Sequence, residues 1–383
     1  MNAFEKFVER HPEMKWDIIQ LSGNPSITPK FIERHLDWEW NINMLSQNPS
    51  ITSEFIEIHL DWGWNVKYLS GNTSITSEFV ERHLDWDWYM FYLSWNKSIT
   101  LCFIEQHLDW EWDIGELSFN PSMTGEFIEA HPEISWDIDE LSGNKSLTTD
   151  FIEMHSEMKW NVYYLSSNIA IKSEFIESHL EWDWDIYWLS ANPSITPEFI
   201  ERHLEMKWDM IGLSCNPSIT PEFIERHLDW NWSMIGLSDN TSITPEFIEN
   251  HPEMKWNIDE LSDNTSITGE FIEAHLDWDW NINMLSSNHS ITPEFIERHP
   301  ELKWDIHGLS KNPSIKVQFI EAHLDWNWNM SLLSNNNFTK SISNERKEIF
   351  LLAADHYPNK IHKSLSHNCL FDRNLFGLIM QYL

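Results

Sequence analysis

One tryptophan recurs every 24 residues, at Trp16, Trp40, Trp64, Trp88, Trp112, Trp136, Trp160, Trp184, Trp208, Trp232, Trp256, Trp280, Trp304 and Trp328. No insertion or deletion interrupts the period, so fourteen copies cover residues 1–336. Phe (Phe7, Phe31 onward), the Glu two places later, His (His11, His35 onward), Leu-Ser and Asn (Asn24, Asn48 onward) hold their places in every copy. A 24-residue unit cannot bury an apolar face alone, so each copy must be one layer of a stack.

The unit reads as two short helices. In Ile195-Thr-Pro-Glu-Phe-Ile200-Glu-Arg-His203, Thr196 is a cap, Pro197 suits the first helical position and Glu198 complements the helix dipole. Phe199, Ile200, His203 and Leu204 then fall on one helical face. A second helix is expected from Asp37, with Trp38, Ile42 and Leu45 spaced i, i+4, i+7. Asn48 would follow its last turn, where Asn tolerates left-handed backbone or caps a loop. Leu-Ser-x-Asn at this period is also the mark of a leucine-rich repeat with its asparagine ladder. That alternative needs an apolar residue two before Leu45, where Asn43 stands, and strand-like alternation, which is poor. The expected fold is therefore an all-α solenoid of fourteen two-helix repeats, each helix two to three turns. Stacked at 9–10 Å, it would be a rod roughly 130 Å long.

The motif Trp-x-x-x-x-Leu-Ser-x-Asn-Pro-Ser-Ile-Thr, followed by Phe-Ile-Glu-x-His, resembles tandem-repeat proteins encoded in families by giant DNA viruses of amoebae. The likeness spans about residues 1–336, with Met14-Lys15-Trp16 or Trp38-Glu39-Trp40 at the turn where many relatives carry Lys-Pro-Trp. It implies a viral or virus-derived protein acting in host cytoplasm, viral factory or virion. It brings no catalytic residue with it.

Composition narrows the functional classes. The chain has 383 residues, 25 Lys and Arg against 61 Asp and Glu, and a net charge of −36. Direct binding to a nucleic-acid backbone is disfavoured by that charge. No apolar stretch approaches a membrane span and the start carries no signal-like core, so neither membrane nor secretion is expected. Three scattered cysteines do not make a disulfide framework and suit a reducing compartment. Residues 337–383 break the period, hold six Lys and Arg against four Asp and Glu, and show helical stretches at 344–356 and 372–382. They read as a C-terminal helical cap over the end of the stack, whereas Ala3, Phe4 and Phe7 alone would close the start.

No constellation reads as catalytic, and no cofactor is expected. The recurrent Glu33-x-His35 pair offers ligand types, yet i and i+2 lie about 200° apart on a helix, and copies about 10 Å apart cannot share one ion. The bland reading has the His on the Phe-Ile face and bonded to a neighbouring unit, with Glu facing solvent or reaching to the next copy. The fixed Trp reads as core. His356, His362, His367 and Cys369 match no strong zinc spacing. What differs between copies carries more information. Three, four and seven places after the fixed Trp, most copies have residues such as Gly115, Asp139, Asp239 or Ser287. Copies four and five instead present Phe91, Tyr92, Trp95 and Phe119, and copies seven and eight Tyr163, Tyr164, Tyr187 and Trp188. Clustered aromatics there form either a protein-binding hot spot or fillers of groove space beside small neighbours. The reading is a non-enzymatic scaffold for a protein partner, possibly basic. An acidic mimic of nucleic acid, or a structural component of a virion or viral factory, stands as the alternative.

Overall fold

The structure, a computed structural model, describes residues 1–336; the expected cap at 337–383, with its three histidines and Cys369, lies outside them. The described residues form twenty-eight α-helices and five 3-10 turns without a strand, two α-helices to each repeat. This all-helical repeat excludes the leucine-rich alternative. Apart from Ala3–Arg10, every α-helix is six residues long, shorter than expected. Helices this short do not hold in isolation and depend on capping and stacking.

Capping begins as expected. Helix Pro197–Arg202 has Thr196 as its cap, and the threonine oxygen accepts from the Phe199 N–H. It ends at His203, so Leu204 leaves the buried face and is 54% exposed. The second helix starts later than the apolar spacing indicates. In the second repeat it is Ile42–Gln47, capped by Asn41, whose side chain accepts from the Met44 N–H. Trp38 and Trp40 therefore belong to the connection between helices. There the Trp40 N–H bonds back to the Trp38 carbonyl at 2.9 Å and the two indoles stack at 5.4 Å. In the Met-Lys-Trp copies at Met14, Met158 and Met206 a 3-10 turn ends on a left-handed lysine, as Leu204–Met206 does on Lys207 (φ 50°).

The fixed Trp is required for more than bulk. In all fourteen repeats its indole N–H donates to the carbonyl of the His five places earlier, as from Trp40 to His35 at 2.8 Å. That bond satisfies a carbonyl at the end of the first helix. Beside it, Phe31, Ile32, Leu45 and Ile51 are fully buried. Each such side chain stabilises the fold by about 1.5–3 kcal/mol.

Successive repeats are joined by a buried polar seam. The Asn48 side-chain amide donates to the Ser22 carbonyl at 2.9 Å and the Asn24 carbonyl at 3.0 Å, one repeat back. Its oxygen accepts from the Ser50 N–H at 2.9 Å, which holds the following turn. Asn48 is thus extended (φ −72°, ψ 115°) rather than left-handed, and its work is between repeats. The Ser22 hydroxyl donates to the Ile18 carbonyl at 2.7 Å and accepts from the Asn41 N–H at 3.0 Å. A second line of contacts runs along the first helices. Glu9 accepts from the His35 ring at 3.0 Å and pairs with Arg34 at 3.2 Å, while the His35 ring lies on Phe31. The recurrent Glu and His therefore meet across the joint, as the bland reading had it.

The described residues divide into two compact units, Met1–Leu147 with 309–336, and Thr148–Gly308. In the second unit the seam continues unchanged: Asn216 donates to the Ser190 and Asn192 carbonyls at 3.1 and 2.9 Å. The first unit holds the departure from a rod with separated ends, because the fourteenth repeat packs against the first. Helix Met330–Asn335 lies beside helix Ile18–Gly23. Asn24 donates to the Ser334 carbonyl at 2.6 Å and the Asn336 carbonyl at 3.2 Å, and the Asp17 N–H meets the Ser334 hydroxyl at 3.2 Å. Arg10 and His11 stand 2.6 and 3.5 Å from Glu321. These are the contacts of a joint between sequence neighbours, made between chain positions more than 300 residues apart.

Two expectations follow. Asn24→Ala and Asn48→Ala should each lower the free energy of unfolding, by about 2–3 kcal/mol for the buried carbonyls left unpaired. Equal losses show the end joint forming like an internal one, and an Asn24→Ala variant as stable as wild type shows that it does not form. Secondly, the carboxyl of Glu9 is held below its ordinary 4.5, first by the His35 hydrogen bond and then by Arg34; His83 and then Arg82 do the same for Glu57. A depressed carboxyl stabilises above its unfolded value and loses this as pH falls through the folded one. Melting temperature should therefore fall on acidification below about pH 4.5. A Glu9→Gln, Glu57→Gln variant should show a shallower fall.

Candidate protein-binding face

Within each unit the second helices of successive repeats pack closely side by side, and the first helices less closely. The positions three, four and seven after the fixed Trp lie on these closely packed second helices. Close approach is visible at Gly212, where an added Cβ would stand 2.8 Å from the Tyr187 carbonyl and 2.7 Å from the Ser190 side chain. Any larger residue there would force the helices Ile186–Ala191 and Met210–Cys215 apart.

The eight aromatic candidates divide between the units and differ in exposure. In the first unit, Phe91 is 39% exposed on helix Met90–Trp95 and meets Tyr92 edge-on at 5.5 Å. Tyr92 is half-buried and rests against Gly71 of the preceding repeat; Trp95 is half-buried too. Phe119, expected on an accessible face, is buried at 6% exposure. In the second unit Trp188 is likewise buried at 8%, a correction to its expected accessibility. It packs edge-on against Tyr163 at 6.2 Å and Tyr187 at 5.4 Å, and Tyr163 meets Tyr164 at 5.6 Å. Tyr163, Tyr164 and Tyr187 are half-buried. Trp188 thus packs across the joint against Tyr163 of the preceding repeat. Tyr92 does so in part, and Phe91 stands clear.

Electrostatics separates the two clusters further. The Lys67 ammonium lies 4.8 Å from the ring centre of Tyr89 and 5.7 Å from that of Tyr92, a cation shared by two rings. Around Tyr187 the neighbours are acidic. Burial first, then the charges of Asp209 and Asp185, push its hydroxyl up to about 12. Asp185 also caps its helix through the Trp188 N–H at 3.0 Å, and Asp209 the next through the Gly212 N–H at 2.7 Å.

Tyr89 was missed by counting three, four and seven places from the Trp. It stands one place after, where the other thirteen copies have Asp, Asn or Ser. Those residues cap the second helix, and Tyr89 gives its helix no side-chain cap. Yet it is 43% exposed and packs on Tyr92 at 5.2 Å. Its signal in the sequence was the single break in an otherwise uniform capping position. Also unforeseen is the row of exposed leucines after the fixed His, among them Leu36, Leu60, Leu84, Leu204 and Leu228.

Among the described residues no three His, Cys, Asp or Glu side chains converge as metal ligands, and no helix is long and apolar enough to cross a membrane. Cys102 is an exposed thiol. Comparison with known proteins finds no matching family, curated protein or solved structure.

One acidic group on the variable positions is held against its preference. Burial, then the charge of Asp263 in the next repeat, raise the Asp239 carboxyl to about 6 from 3.8. A raised acid favours the protonated fold, so ionising it at neutral pH destabilises the protein. Asp239→Asn should add about 3 kcal/mol of stability above pH 6 and nothing below pH 3.8. Denaturant unfolding at both pH values checks this; an equal gain at each would place the cause elsewhere.

Proposed function

We propose that this chain is a non-enzymatic scaffold that binds a protein partner through the variable positions of its second helices. The carrying observation is Tyr89. A cap residue at such a position contributes about 1 kcal/mol to its helix. The fourth repeat forgoes that contribution and places an exposed aromatic ring there, beside exposed Phe91 and half-buried Tyr92. Its contacts with Tyr92 and Lys67 still leave the ring 43% exposed. Large rings grouped on a rigid surface are the usual centre of a protein interface. The charge of −36 favours a basic partner by steering its approach. The resemblance to repeat proteins of giant viruses supports a partner of host or viral origin, met in the cytoplasm of an infected cell.

The test is a variant carrying Tyr89→Asn and Phe91→Ser. Asn restores the cap, so thermal stability should stay within about 1 kcal/mol of wild type or rise above it. Affinity purification from cells expressing the full chain should recover a partner with wild type and lose it with the variant. Undiminished recovery would remove the fourth repeat from the interface, and a collapsed melting transition would make these residues structural.

A further inference from the structure

The line of Glu, His and Arg contacts along the first helices is broken at the third repeat, and exposed apolar side chains stand at the break. In repeats 2 and 4 an arginine just before the fixed His lies over the phenylalanine of its own helix and pairs with the Glu of the preceding repeat. Arg34 meets Glu9 at 3.2 Å and Arg82 meets Glu57 at 3.0 Å. The neighbouring His35 and His83 reach the same carboxylates at 3.0 and 3.1 Å. In repeat 3 the arginine is replaced by Ile58, which is 67% exposed, and the buried Nε2 of His59 has no hydrogen-bond partner among the described residues. Glu33, exposed on repeat 2, therefore meets neither cation among the described residues. Exposed Leu36, Leu60 and Leu84 run past the break. Each is followed by an exposed aspartate (Asp37, Asp61, Asp85) that makes no ion pair among the described residues. The stack does not require leucine there, since Pro12, Pro132 and Ser156 fill the same place in other copies.

We propose that Glu33, Ile58, Leu36, Leu60 and Leu84 form a second interface, which takes an arginine-bearing amphipathic helix from a partner protein. The partner's guanidinium pairs with Glu33 as Arg34 and Arg82 pair with the carboxylates of their preceding repeats. Its apolar face covers the isoleucine and the leucines and removes their surface from water. The spacing suits a helix. Equivalent leucines recur at the stacking distance of about 9–10 Å, close to the roughly 10 Å between residues seven apart on a helix. The unpaired aspartates beside the leucines favour further basic residues along the flanks of that helix. This interface shares no residue with the Tyr89 face and stands or falls without it.

The probe is a labelled helical peptide of three heptads, with leucine at every seventh place and arginine beside it. Its binding to the full chain is followed by fluorescence anisotropy at about 0.15 M salt, with a scrambled peptide of the same composition as control. Ile58→Arg gives repeat 3 the residue that repeats 2 and 4 carry at this place, so the fold accommodates it and Glu33 gains a partner within the chain. Ala130→Arg adds the same charge at the same place in repeat 6, where Pro132 stands instead of leucine. Peptide affinity should fall about tenfold with Ile58→Arg and less than about twofold with Ala130→Arg. Glu33→Gln, which adds no bulk, should match the Ile58→Arg loss, and the scrambled peptide should bind at least about tenfold more weakly. Equal losses in the two arginine variants, or equal binding of the scrambled peptide, would overturn the proposal in favour of a diffuse acidic field. Undiminished affinity in Glu33→Gln, or no binding of the peptide to the full chain, would overturn it outright.

Discussion

Everything in this structure depends on an asparagine amide reaching two backbone carbonyls of the preceding repeat. Six-residue helices have too few internal hydrogen bonds to persist alone. Each ends with exposed carbonyls that burial would make costly. Asn48 satisfies Ser22 and Asn24 with one side chain and holds its own turn through Ser50. The fixed Trp does the equivalent for the first helix, with its N–H on the His carbonyl. The apolar residues supply the larger share of stabilisation, but these two groups fix the stacking distance and register. A 24-residue period without a single slip follows, because an inserted residue would withdraw an amide from its carbonyl.

Much of the stack was legible because its constraints recur. The Thr-Pro-Glu start, the burial of Phe and Ile, and the reach of Glu to the next copy's His were all readable from the period. The second helix was misplaced because apolar spacing from Trp38 was taken as helical, whereas the Asp, Asn or Ser beside the fixed Trp marked the true start. Asn48 was given a local role because a one-dimensional pattern cannot show a carbonyl one repeat away. The asparagine ladder that suggested leucine-rich repeats is present in substance, but it links helices. Exposure on the variable face was the least legible. Phe119, Trp188 and Phe91 are all drawn from the variable positions, yet the first two are buried and the third is exposed.

The contact between repeats 1 and 14 could not be foreseen from local pattern either. Repeats that are nearly alike present nearly alike faces, so any copy can follow any other. The two aromatic clusters show the complementary principle. A frame held by main-chain carbonyls and fixed side chains leaves three or four positions per repeat unconstrained. Differences there change charge and shape, and at Gly212 also how closely adjacent helices approach. Tyr89 goes one step further and takes over a position that elsewhere belongs to the frame.

A linear stack ordinarily frays from its ends, since a terminal repeat has one neighbour and opens at lower free energy than an interior one. In the first unit, repeat 14 is bonded to repeat 13 through Asn329 and Asn336 and to repeat 1 through Ser334. Repeat 1 in turn is bonded to repeat 2 through Ser22. Neither has the single neighbour from which unravelling starts. Opening at these positions must break two seams together, so proteases and chaperones that engage loose chain ends meet repeats as firmly held as those in the interior.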